Sequence, residues 1–160
     1  MPNNKEAIIL IGSNIEPEKN FKKCIELLSN LAVIKKASNV WKTEAIGSDG
    51  PDFLNAAVQI YTPLDAESIR SSIINPIEIE LKRIRTADKN APRTIDLDLI
   101  VFNGKILDED IWNKLFVALP VSEILPDLKT DSGEKHLSGI AAELKSSAKA
   151  ELVEDFQIQF

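Results

Sequence analysis

Cysteine and histidine are nearly missing from this chain of 160 residues: Cys24 and His136 are the only ones. A lone cysteine permits no disulfide within the chain and no cysteine zinc site. Cys24 shares a helical apolar stripe with Phe21, Ile25 and Leu28, so core packing is its expected role. His136, far downstream in GEKHLSG, reads as an exposed loop residue. Long apolar runs are missing too: none approaches a membrane span, and the opening MPNNKEAIIL lacks a signal-peptide pattern. A reduced cytoplasmic compartment is the expectation. Nor is there an excess of positive charge. A net charge of -6 argues against general nucleic-acid or membrane-surface binding. Any basic cluster must be local.

What is present suits one domain over residues 1–160 with a sizeable core. AIILI at 7–11, ended by GSN, reads as a central strand and turn. From about Glu16, Phe21, Cys24, Ile25, Leu28 and Leu31 keep helical spacing. Residues 33–46 lean towards strand, GSDGPD is a turn, and FLNAAVQIYT (Phe53 to Thr62) is the returning strand. A second helix carries Ile69, Ile73, Ile77, Leu81 and Ile84 on one face, with a kink or break predicted at Pro76. Ile95 to Phe102 is a fourth strand. Short helices near 119–125 and 139–149 and a last strand at LVEDFQIQF complete the chain. The order strand, helix, strand, strand, helix, strand predicts an α+β fold of the ferredoxin-like, mainly antiparallel kind.

The fourth strand poses the chemical question. APRTIDLDLI places Asp96 and Asp98 two apart, hence on one face of a strand. By parity Ile100 and Phe102 share that face, and Leu97, Leu99 and Val101 the other. Apolar residues on both faces point to a central strand rather than a wet edge. Such a pair can reach one or two hard cations, and magnesium prefers a few carboxylates, water and substrate phosphates. Lys82, Arg83, Arg85, Lys89 and Arg93 precede it against Asp88 alone, a reversal of sign in an acidic chain. Guanidinium forks beside metal-holding carboxylates are what phosphoryl-type transfer needs. On the returning strand Phe53 and Asn55 share a face, a ring and an amide that would suit a flat heterocycle. From spacing alone the simpler reading there is a core ring and an amide satisfying backbone groups.

Taken with LIGSN (10–14), GPDFLNAAV (50–58), IEIELKRIR (77–85) and FVALPVSEILPDL (116–128), the segment APRTIDLDLIVF (91–102) resembles the 6-hydroxymethyl-7,8-dihydropterin pyrophosphokinase family of folate biosynthesis. The resemblance implies a ferredoxin-like βαββαβ core and transfer of pyrophosphate from ATP to the pterin hydroxymethyl group, releasing AMP. It implies that Asp96 and Asp98 hold two magnesium ions bridging the ATP phosphates, with Arg83 and Arg93 catalytic. Arg85 and Arg93 would engage phosphates, and Asn75, Glu78, Leu99 and Lys114 would lie on the nucleotide side. Asn55 would hydrogen-bond the pterin between Phe53 and Phe116, with Thr43 and Ile46 as pocket wall. The loop 86–91 would close over the substrates. A small-molecule enzyme acting as a monomer, without nucleic acid or membrane, is the implied setting.

The chain departs from the family pattern in places. Between Phe102 and Phe116 it is shorter by about two helical turns' worth of residues. The family's Pro-His segment has no counterpart, and Lys114 stands where an arginine is expected, a point charge without a bidentate fork. Lys82 replaces a usual glycine and Asn90 a common aromatic. No general base is evident. A pterin-binding relative with weak or lost transfer is the alternative, and an unrelated ferredoxin-like interaction domain is a third. Sheet-borne RNA binding fits poorly, since the strands lack paired surface aromatics in a basic field.

Overall fold

The computed structural model describes residues 4–44, 50–83 and 92–160. In chain order the elements are β1 (Lys5–Ser13), α1 (Pro17–Leu31), β2 (Val33–Ala37), β3 (Trp41–Thr43) and β4 (Phe53–Thr62). A helical stretch follows, made of α2 (Ala66–Ile69), a π segment (Arg70–Ile74) and α3 (Asn75–Glu80). Then come β5 (Asp96–Phe102), β6 (Lys105–Ile106), a 3-10 turn (Glu109–Trp112), α4 (Leu115–Ile124), α5 (Leu137–Ser147) and β7 (Ala150–Leu152).

The strands form one sheet in the order β6-β5-β1-β4-β3-β7, with β2 also on β4, and each pairing is antiparallel. β1 lies between β4 and β5, which is why its apolar run is continuous: both faces are covered. Helix α1 and the α2–α3 stretch cover one face. Phe21, Cys24, Ile25 and Leu28 pack there with Ile69, Ile73, Ile77 and Leu81 on Ile9, Ile11, Val58, Leu97 and Leu99. On the other face α4, α5 and the 3-10 turn bury Ile111, Val117, Ala118, Val121 and Leu137 over Ile8, Leu10, Ala57 and Ile100. This is the expected ferredoxin-like layer, thickened by a second helical layer.

Local chemistry accounts for the helix ends. Pro17 opens α1, where a missing N–H costs nothing. The Asp65 carboxylate accepts the Ser68 N–H at 2.8 Å to cap α2. Pro76 cannot donate to the turn before it, and the helix widens into its π segment over Arg70–Ile74, so the stretch continues where a break was expected. At the far end, the Lys82 N–H reaches the Ile79 carbonyl (3.0 Å) and the Arg83 N–H the Glu78 carbonyl (2.9 Å). These are the paired bonds of a Schellman cap. Lys82 sits at φ 60°, the left-handed conformation that explains why glycine is the usual residue there.

Three expectations change. The parity read for the fourth strand holds from Asp96 to Leu99 and then flips, because Ile8 pairs with Val101 but Ile9 with Leu99. Ile100 is the extra residue of a β-bulge, so Val101 joins Ile100 on the aspartate side while Phe102 packs on the opposite face. Helix α4 begins at Leu115 rather than near 119, since its residues are apolar all round and leave no period to read. The last strand is Ala150–Leu152 only. A turn at Glu154 and Asp155 ends it, and Phe156 then packs edge-on against Phe21 at 6.2 Å between centroids.

Candidate active site

The register sets the site. Gly12 of β1 pairs with Asp96 on one side and Asn55 on the other, while Leu10 pairs with Asp98 and Trp41 with Asn55. Side chains in one cross-strand row share a face, so Asp96, Asp98, Asn55 and, one pair further along, Phe53 and Thr43 stand together at one end of the sheet. Here they line a cleft of about 440 Å³ with Leu10, Gly12, Glu44, Arg93, Asp110, Lys114 and Phe116. Phe116 enters from the first turn of α4, and Asp110 and Lys114 from the connection before it.

Gly12 has no side chain to place because none fits: a Cβ there would stand 3.0 Å from Asn55 Oδ1. The Asn55 amide is itself held, its Nδ2 donating to Thr43 Oγ1 at 2.7 Å in a buried cross-strand pair. Asn14 anchors the arginine of the cleft. Its N–H donates to the Arg93 carbonyl (3.1 Å), and its Oδ1 accepts the Arg93 N–H (2.7 Å). Its Nδ2 donates to the Pro51 carbonyl at 3.1 Å, which ties the segment before β4 to the same residue.

Asp96 is held by two guanidinium groups. Arg93 Nη1 donates to Oδ2 at 2.7 Å and Arg83 Nη1 lies 3.0 Å from Oδ1. Arg83 also donates to Glu78 Oε2 at 2.7 Å. Asp98 is different. Its carboxyl is open to the cleft but enclosed by the walls, and this burial first, then the neighbouring Asp96 carboxylate, pushes its pKa up to about 7. Water in the cleft softens the effect of burial without changing its direction. A cation set between the two carboxylates would relieve their repulsion. No third histidine, cysteine or carboxylate gathers with the pair among the described residues. The pair therefore fits an ion that takes its other ligands from water and phosphate. Cys24 plays no part: burial, then the nearby Glu78 charge, pushes its thiol up to about 12.

Of the residues expected at the site, Thr43, Phe53, Asn55, Arg93, Asp96, Asp98, Lys114 and Phe116 meet in this cleft. Arg83, nine-tenths buried, stands behind Asp96. Glu78 is buried beneath it, Leu99 points into the core under α1 and α3, and Asn75 is exposed on the helix; none of them lines the cleft. Ile46, Arg85 and the loop 86–91 lie outside the described residues. Sequence reasoning left Gly12, Asn14, Glu44 and Asp110 without a role. The first two fall within LIGSN, a usable signal; the others carry none.

Comparison with known proteins follows the same lines. Residues 8–126 match the family described as 7,8-dihydro-6-hydroxymethylpterin-pyrophosphokinase. A 2-amino-4-hydroxy-6-hydroxymethyldihydropteridine pyrophosphokinase of Campylobacter jejuni is 39% identical over 113 residues, 66% of this chain and 68% of that protein. An enzyme of the same name from Synechocystis is 30% identical over 132 residues, covering 76% and 67%. The folate synthesis bifunctional protein of Arabidopsis thaliana is 32% identical over 133 residues, 76% of this chain but 27% of its own length. Among solved structures, a Plasmodium falciparum HPPK-DHPS triple mutant with pteroate superposes with a TM-score of 0.69 at 12% identity. It shares the fold over 90% of this chain and 44% of its own.

Proposed function

The chain belongs to the 7,8-dihydro-6-hydroxymethylpterin-pyrophosphokinase family and transfers pyrophosphate from ATP to hydroxymethyldihydropterin in folate synthesis; we propose that it does so with two magnesium ions held by Asp96 and Asp98. The observation that carries the metal assignment is the shared face of the two carboxylates at the floor of one cleft, one row from Asn55. Bound there, the metal supplies charge neutralisation for the ATP phosphates.

The protein's own groups supply the rest. Asn55, its amide oriented by Thr43, reads the edge of the pterin, while Phe53 and Phe116 offer their ring faces. Arg93, its backbone clamped by Asn14, faces the phosphates, and Lys114 adds a point charge where a guanidinium is usual. The pterin hydroxyl oxygen bonds to the β-phosphorus, the bond from that phosphorus to the bridging α–β oxygen breaks, AMP leaves, and the hydroxyl proton passes to solvent. Holding the hydroxyl in line with the β-phosphorus is the main task of the walls. The chain works as one domain and a cytoplasmic monomer without nucleic acid. The net charge of -6 supports that reading, and no helix among the described residues is long and apolar enough to cross a membrane.

The deciding experiment is product analysis by chromatography after incubation with ATP, magnesium and the hydroxymethyldihydropterin. AMP and pterin diphosphate forming only when all three are present is the expected result. Pterin binding by calorimetry without AMP would replace this reading with a binding module.

A further inference from the structure

We propose that Glu78 is a positioning residue for this reaction: acting through Arg83 and through the N–H of Leu97, it fixes the Asp96 carboxylate and does not touch the nucleotide. The inference rests on the metal role of Asp96 proposed above. Glu78 is 4% exposed and lies outside the cleft wall, so a nucleotide held in the cleft has no path to its carboxylate. Its Oε2 instead accepts two hydrogen bonds. One comes from Arg83 Nη1 at 2.7 Å, the other from the Leu97 N–H at 3.1 Å.

Each bond leads to the metal pair. The same Arg83 Nη1 lies 3.0 Å from Asp96 Oδ1. Leu97 is the residue between Asp96 and Asp98, so its N–H sets the peptide plane from which both carboxylates project. Glu78 also grips Arg83 from the backbone, since its carbonyl accepts the Arg83 N–H at 2.9 Å in the cap of α3. Arg83 is thus tied to Glu78 at both its ends. With Arg93 on Oδ2 at 2.7 Å, the Asp96 carboxylate is left one orientation, its remaining lone pairs turned to the cleft.

A purely structural ion pair would affect stability and leave metal use alone; a nucleotide contact would affect ATP binding. The test is steady-state kinetics in ATP and magnesium, with thermal unfolding, on Glu78→Gln, Arg83→Gln, the double variant and Asp96→Asn. The expected result for Glu78→Gln is a fall in kcat on the order of tenfold or more, a severalfold rise in half-saturating magnesium, and an ATP KM within about twofold. In the double variant both buried charges are gone, so it folds even if a single variant leaves one charge stranded. Its kcat should match that of Arg83→Gln within about twofold, because residues acting in series are not additive. A raised ATP KM at unchanged kcat would overturn the proposal in favour of nucleotide contact. Lowered thermal stability with wild-type magnesium dependence would overturn it in favour of a structural pair. Wild-type turnover in Asp96→Asn would instead sink the metal reading beneath it.

Discussion

A methyl group on Gly12 would meet Asn55 Oδ1 at 3.0 Å, tighter than ordinary van der Waals contact, and Asn55 cannot retreat because Thr43 holds its amide. Gly12→Ala should therefore twist the amide away from the pterin edge. A loss in kcat/KM of about tenfold or more, near 1.4 kcal/mol, is expected, with the rise falling on the pterin KM rather than that of ATP. Equal effects on both substrates would speak against the pterin role of Asn55. Asp98 makes a second prediction. Its carboxyl is raised from an ordinary 3.8 to about 7 by burial and by Asp96, so the folded protein holds that proton more tightly than the unfolded one. The stabilisation is complete below the ordinary value and fades as pH rises towards 7. Without metal, wild-type thermal stability should fall across that window, and Asp98→Asn should flatten the fall. Above pH 7 the variant should melt higher than wild type while showing no turnover. A variant that melts lower at pH 8 would contradict the repulsion between the two aspartates.

At the scale of elements, the cap of α3 carries a side chain in a conformation glycine takes freely. Lys82→Gly should stabilise the fold by about 0.5–1 kcal/mol, read as a raised urea midpoint at unchanged m-value. A lowered midpoint would mean that the lysine side chain makes up the backbone cost elsewhere. Elements with a local signature were legible. β4 was read to the residue because a turn rich in Gly, Pro and Asp precedes a strand whose far end meets Pro63. The flip at Ile100 was not, because a bulge depends on the partner strand, and LIV offers no alternation to betray it. α4 hid its start for a related reason, being apolar on every side. At the site, chemistry-bearing residues stood out by type, and parity put Asp96 with Asp98 and Phe53 with Asn55. Joining the two pairs needed the β1 register, which brings Gly12 between them.

Seen as a whole, the molecule separates its supports. The cleft stands on the face under α4, whereas the opposite layer closes with the C-terminal segment, where Phe156 meets Phe21. Phe156→Ala should cost about 3 kcal/mol in unfolding free energy, as for other buried rings, yet leave kcat and both KM values unchanged at a temperature where the variant is folded. Altered kinetics there would show that the two layers communicate. The bulge in β5 adds a last consequence. It falls between the aspartates and everything downstream, so the ladder from Asp96 to Leu99 keeps its own register with β1 whatever follows Ile100. The hairpin and connection after it can be lengthened, shortened or rebuilt without turning the carboxylates over. One spare residue works like a slack joint, letting the nucleotide side of such a cleft drift over generations while its metal end stands still.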